Sequence, residues 1–168
     1  MSSKRPQLKI PLEPIDKFVE LSSITIILLM WAYTILKYPD LPDTIASHFN
    51  ASGNADNFSD KSFVWFLPIL ATGMYLGLFY LNKYPHLHNY MVNITEENAV
   101  KQYTFSTRIL RVVNFLCTLM FGYINFKLIE GAMQGQSDLG NGFLIAVIAV
   151  SVLLPVVIFF YQKRINSK

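Results

Sequence analysis

The sequence predicts an all-α integral membrane protein: four transmembrane helices, both termini cytoplasmic, and a structured outer loop between the first two spans. Three observations carry this. Of 168 residues, 52% are hydrophobic and only 15% charged, whereas soluble domains carry about 25% charged residues. Apolar stretches recur at the length that a helix rising about 1.5 Å per residue needs to cross a core of about 30 Å. The basic residues divide unevenly between the two sides that this layout creates.

Taken in order, residues 10–18 (IPLEPIDKF) mix apolar and charged side chains with Pro11 and Pro14, which suits the cytoplasmic interface. The nine residues before them are expected to be disordered. Span one covers 18–36, with Glu20 at its edge. It is basic then apolar, like a signal peptide, but longer than a typical apolar region of one. The nearest small-x-small site, Thr44-Ile45-Ala46, lies too far beyond it, so the span is read as retained. Residues 37–62 form the outer loop. Span two, 63–81, holds no charge. Its Gly73 and Gly77 form a GxxxG, which either admits a close helix neighbour or is coincidence.

The next loop leads to Thr95-Glu96-Glu97. Thr95 is expected to cap a helix, with Glu96 and Glu97 near the positive end of its dipole. That helix runs on as a cytoplasmic stalk into span three, 109–129. Arg108 and Arg111 lie three apart on one face, either as headgroup anchors or as a cytoplasmic partner surface. Span four, 139–161, again holds no charge. Pro68 and Pro155 can kink spans two and four. The whole chain, 1–168, reads as one four-helix membrane domain without repeats or linkers.

Lys4, Arg5, Lys9, Lys17, Lys83, Lys101, Arg108, Arg111, Lys163, Arg164 and Lys168 fall on one side of this layout. Only Lys37, Lys61 and Lys127 fall on the other. The bias of eleven to three sets the orientation. Asp40, Asp43, Asp56, Asp60 and Asp138 then face outward.

The outer loop is the most specific segment. Pro42 fixes φ and is expected to open a short helix reaching about Ser47. Leu41, Ile45 and Phe49 would share one side of it at i, i+4 spacing, lying on the membrane surface or plugging the top of the bundle. A turn at 50–54 follows, with Gly53 free to take positive φ. Asp60 is placed to cap span two. The loop can fold back so that His48, Asp56 and Lys61 approach each other. This would be a shape-holding hydrogen bond or part of a binding surface that also includes Leu41, Pro42, Phe49, Gly53 and Phe58, with Leu41, Phe49 and Phe58 as its apolar anchors.

The chain offers little for chemistry. Thr25, Thr34, Thr72, Asn114, Thr118, Asn125 and Ser151 are neutral, and hydrogen bonds between helices account for them. A proton relay, ion pathway or intramembrane protease needs ionisable groups near mid-membrane. No HExxH, GxSxG or phosphate-loop pattern occurs. His86 and His88 lie in a loop without an adjacent Cys or carboxylate. One His and one Asp in the outer loop make an incomplete metal set. The lone Cys117 excludes an internal disulfide, and the basic residues form no aromatic-interleaved patch for nucleic acid. No enzyme activity, cofactor, metal or nucleic-acid partner is expected.

Leu41-Pro42, Ile45, His48-Phe49, Gly53, Asp56, Lys61 and Pro68 resemble the signature of a bacterial membrane-domain family of unknown function, found at the N-terminus of SdpI-type immunity proteins. Asn89-Tyr90, 94–98 and Gln102-Tyr103 resemble its single-domain members. The resemblance covers about residues 38–104. It implies a multi-pass protein of the bacterial inner membrane with an outward signature loop, and, by analogy, immunity to a secreted peptide or signalling. Together these readings give a partner- or ligand-binding protein. Its contacts would be membrane lipid and other membrane proteins or a secreted peptide. The alternatives are an accessory subunit of a larger membrane complex and, less favoured, a membrane enzyme or transporter.

Overall fold

A computed structural model of the chain describes residues 5–166. Its main elements are α1 (Pro14–Lys37), β1 (Thr44–Phe49), β2 (Ala55–Asp60), α2 (Phe66–Leu81), α3 (Ala99–Gln134) and α4 (Asn141–Asn166). Short 3-10 turns at Tyr38–Asp40 and Lys61–Trp65 bracket the two strands. Four segments, Pro14–Asp40, Lys61–Leu81, Ala99–Gln134 and Asn141–Asn166, are long and apolar enough to cross a membrane. The protein is therefore multi-pass.

α3 is the centre of the bundle and packs against both α1 and α2. The neutral polar residues tie these helices together. Asn125 donates to the Thr34 hydroxyl at 3.0 Å, Asn114 to the Tyr75 carbonyl at 3.2 Å, and the Trp31 indole to Thr72 at 3.0 Å. Without water to compete, such bonds help select helix partners. The glycine that permits close approach is Gly122 of α3, where a Cβ would stand 2.9 Å from Ile26 on α1. Gly73 and Gly77 have nothing within 4 Å of that position, so the GxxxG serves no contact inside this chain.

α4 stands apart. Only Gln162 of its residues is buried. It meets α3 chiefly at its ends: Phe143 stacks on Tyr123, Tyr161 on Phe105, and Gln162 donates to Gln102 at 2.7 Å. Between these ends lies an apolar gap of about 560 Å³, lined in part by Leu116, Met120, Ala146 and Val150.

Three expectations change. First, the outer loop is not helical but an antiparallel hairpin of β1 and β2. A spacing of four residues fits the strand period of two as well as the helical one of 3.6. The β-branched Thr44-Ile45 and the turn at 50–54 favour the strand. Pro42 opens no helix and sits in the extended joint between the Tyr38–Asp40 turn and β1.

Second, α3 begins at Ala99 rather than Thr95. The Thr95 side chain caps nothing. Glu96 and Glu97 lie in the preceding turn, not the first turn of helix. Asn98 organises this entry instead: its Oδ1 accepts from Thr95 N at 2.9 Å and its Nδ2 donates to Asn93 O at 2.9 Å.

Third, the start of α3 is no free stalk. Ala99 and Tyr103 are fully buried with Ile94 against Leu8, Ile10, Tyr90 and Val92. Residues 5–9, expected to be disordered, are part of this packing. Tyr103 donates to Pro6 O at 3.0 Å, and Arg5 donates to the carbonyls of His86 and His88 while lying over the Tyr90 ring. Residues 1–4 lie outside those described.

Candidate functional site

The hairpin is anchored to the bundle through β1, where Ile45 and Ala46 are both buried, while β2 is largely exposed. Leu41 and Ile45 are buried with Val64 and Leu67 on the way into α2 and with Leu128 and Ile129 of α3. They plug that end of the bundle. Leu41, at 4% exposure, is thus a core residue and not an exposed anchor. Phe49 is half-buried.

The turn is closed by Asn50. Its Oδ1 accepts from Ser52 N at 2.9 Å and Asn54 N at 3.2 Å, and its backbone bonds Gly53 and Asn54. Gly53 takes φ +83°, the left-handed conformation that glycine adopts without a Cβ penalty. Gly53 O also accepts from Leu139 N at 2.8 Å, and Ala55 N donates to Ser137 O at 3.1 Å. The connection between α3 and α4 is thereby stitched to the hairpin tip.

The strand register skips Ser47 on β1 and Asp56 on β2. Such bulges re-aim neighbouring side chains. Here His48 Nδ1 and Asp56 Oδ1 lie 2.5 Å apart, with both side chains well exposed, at 65% and 43%. The expected His48–Asp56 contact is present. Lys61 does not join it: its ammonium lies 3.5 Å from Asp43 and over the Tyr38 ring. Phe58, opposite buried Ala46, is 57% exposed. Asp60 caps the Lys61–Trp65 turn by accepting from Ser62 N at 2.8 Å. Hydrogen bonds from Ser62 hold its carboxyl below the usual range.

Arg108 and Arg111, at the far end of the bundle, are held in ion pairs with acids of α1 and its N-cap. Arg108 pairs with Glu13 at 2.7 Å and Asp16 at 3.0 Å, and Arg111 with Glu20 at 2.8 Å. Asp16, 4% exposed, also lies 3.9 Å from Arg111. This network clamps α1 to α3. Its signal was in the sequence: acids four apart at 16 and 20 match arginines three apart at 108 and 111, and both pairs present one helix face.

Two further sets escaped sequence reasoning. Tyr33 donates to Glu130, which also accepts from Gln134 at 3.0 Å. His88 is buried, with Nδ1 2.7 Å from the Ser106 hydroxyl and Nε2 3.2 Å from Leu81 O. Burial pushes its pKa below the usual histidine value, and the imidazole bridges the end of α2 and α3. Among the described residues no group of three or more His, Cys, Asp or Glu is arranged to hold a metal.

Comparison with known proteins names no activity. No solved structure matches. An uncharacterized protein of Archaeoglobus fulgidus is 25% identical over 174 residues, covering 94% of this chain and 93% of the relative. Residues 25–72, from mid-α1 through the hairpin into α2, match a domain of unknown function, DUF1648.

Proposed function

We propose that this protein acts by binding rather than by chemistry, with the exposed part of the hairpin, Phe58 and the His48–Asp56 pair, as its contact surface. The family resemblance supports placing it in the bacterial inner membrane, and the eleven-to-three division of basic residues supports cytoplasmic termini with the hairpin outside. The observation that carries the reading is the hairpin's division between an anchored β1 and an exposed β2. Leu41, Ile45 and Ala46 hold it to the bundle, while Phe58 and the His48–Asp56 pair stay exposed. A surface held in place before contact loses little entropy on binding, and an exposed aromatic is a frequent anchor. The resemblance to SdpI-type proteins makes a secreted peptide the first partner to test, with immunity or signalling as the outcome of binding.

Phe58→Ala should leave the melting temperature unchanged and remove co-purification of the partner after gentle detergent extraction. Retained co-purification in Phe58→Ala and His48→Ala would refute the hairpin as the surface. Turnover of a substrate by the isolated protein would refute binding as the function. Reporter fusions at residues 50 and 90 should read outside and inside. The reverse pattern would overturn the orientation.

A second reading, an accessory subunit of a larger membrane complex, is favoured by α4 and by the outer side of α2. The first is almost wholly unburied, and the second presents Gly73 and Gly77 to open space. Cross-links from these faces, with none from the hairpin, would favour it.

A further inference from the structure

A pocket of about 340 Å³ opens at the end of the bundle opposite the hairpin, between residues 9–12, the end of α2 and the first part of α3. Its wall is divided. Ile10, Leu12 and Phe79 supply an apolar side, while Lys9, Lys83, Arg111 and Glu20 supply charge. Arg111 and Glu20 neutralise each other at 2.8 Å. Neither Lys9 nor Lys83 has a carboxylate within ion-pair distance among the described residues, and the Lys83 ammonium rests 4.7 Å from the centre of the Phe79 ring. The pocket is therefore cationic beside an apolar wall.

Asn82, 7% exposed, forms part of the same wall. Its Nδ2 donates to Thr107 O at 3.1 Å, and its Oδ1 has no donor among the described residues. A buried acceptor of this kind favours a ligand that brings a hydroxyl or N–H.

We infer that this pocket holds the headgroup of an anionic, hydroxyl-bearing phospholipid. The phosphodiester would lie between Lys9 and Lys83, a headgroup hydroxyl would face Asn82, and the acyl chains would run along Phe79 and Leu12. One negative charge suits two uncompensated lysines better than a zwitterionic headgroup does, because an ammonium there would meet like charge. Basic residues at the membrane surface favour anionic lipid. The apolar wall separates this ligand from free phosphate, which has no use for it.

The test is native mass spectrometry of the full-length protein, released from detergent after incubation with phosphatidylglycerol, phosphatidylethanolamine or phosphatidylcholine. Wild type should retain phosphatidylglycerol preferentially, and glycerol 3-phosphate should not displace it. Lys9→Gln/Lys83→Gln should weaken retention about 30-fold, whereas Lys163→Gln/Lys168→Gln should not. Both lysines are exposed, so the double variant should melt as wild type does without added lipid. Equal retention of the three lipids, or equal loss in both double variants, would overturn the site. Displacement by glycerol 3-phosphate would reassign it to a soluble phosphate ester and overturn the lipid.

Discussion

Asp16→Asn is expected to lower stability by about 3 kcal/mol, because removing one partner of a buried ionic cluster leaves charge without compensation. Asp16 is the hub. It is almost fully enclosed, pairs with Arg108, approaches Arg111, and accepts from Glu13 N at 3.0 Å at the start of α1. The substitution keeps the shape and removes the charge. Arg108 would keep Glu13, which is 57% exposed in its side chain and gives a weaker pair. Denaturation of the detergent-solubilised protein reads the loss directly. Because the two residues share a network, Asp16→Asn combined with Arg108→Gln should cost less than the two single effects added. Strict additivity would mean that the clamp contributes nothing as a unit.

The second large effect concerns Leu41. Leu41→Ala should cost about 2–4 kcal/mol, since it opens a cavity among Ile45, Val64, Leu128 and Ile129. Phe58→Ala should change stability by no more than about 0.5 kcal/mol, being an exposed residue away from the core. Thermal melts of the two variants side by side separate the buried anchor from the exposed strand. A Leu41 variant that melts normally yet loses its partner would return Leu41 to the contact surface and remove it from the core.

The four spans were legible because a bilayer demands long uncharged runs, and no folding detail alters that demand. The His48–Asp56 contact and the conformation of Gly53 were legible from turn chemistry. The hairpin was not. Leu41, Ile45 and Phe49 satisfy two periods at once, and only pairing with 55–60 decides between them. The start of α3 was misplaced because Thr95 is a good cap by residue type, whereas the Asn98 side chain bonds back to Thr95 N and Asn93 O and holds that stretch out of the helix. The burial of the supposed stalk was hidden for a different reason. Its cover comes from residues 5–10 and from the end of α4, far away along the chain. The ion pairs of Arg108 and Arg111 were hard to see because their carboxylate partners lie more than ninety positions earlier.

The stitch between the hairpin tip and residues 137–139 has a consequence for biogenesis. β1 and β2 leave the ribosome early, but the backbone that holds their turn arrives only after all of α3 has been made. The bundle end carrying the hairpin cannot close until the third span is in place. Contacts so distant along the chain form late, since the intervening loop must be ordered first. A nascent chain stopped before Gly135 would hold its first three helices yet leave Gly53 O and Ala55 N without their protein partners. The hairpin's final shape therefore marks the completion of α3 and of the connection that follows it, before α4 is made.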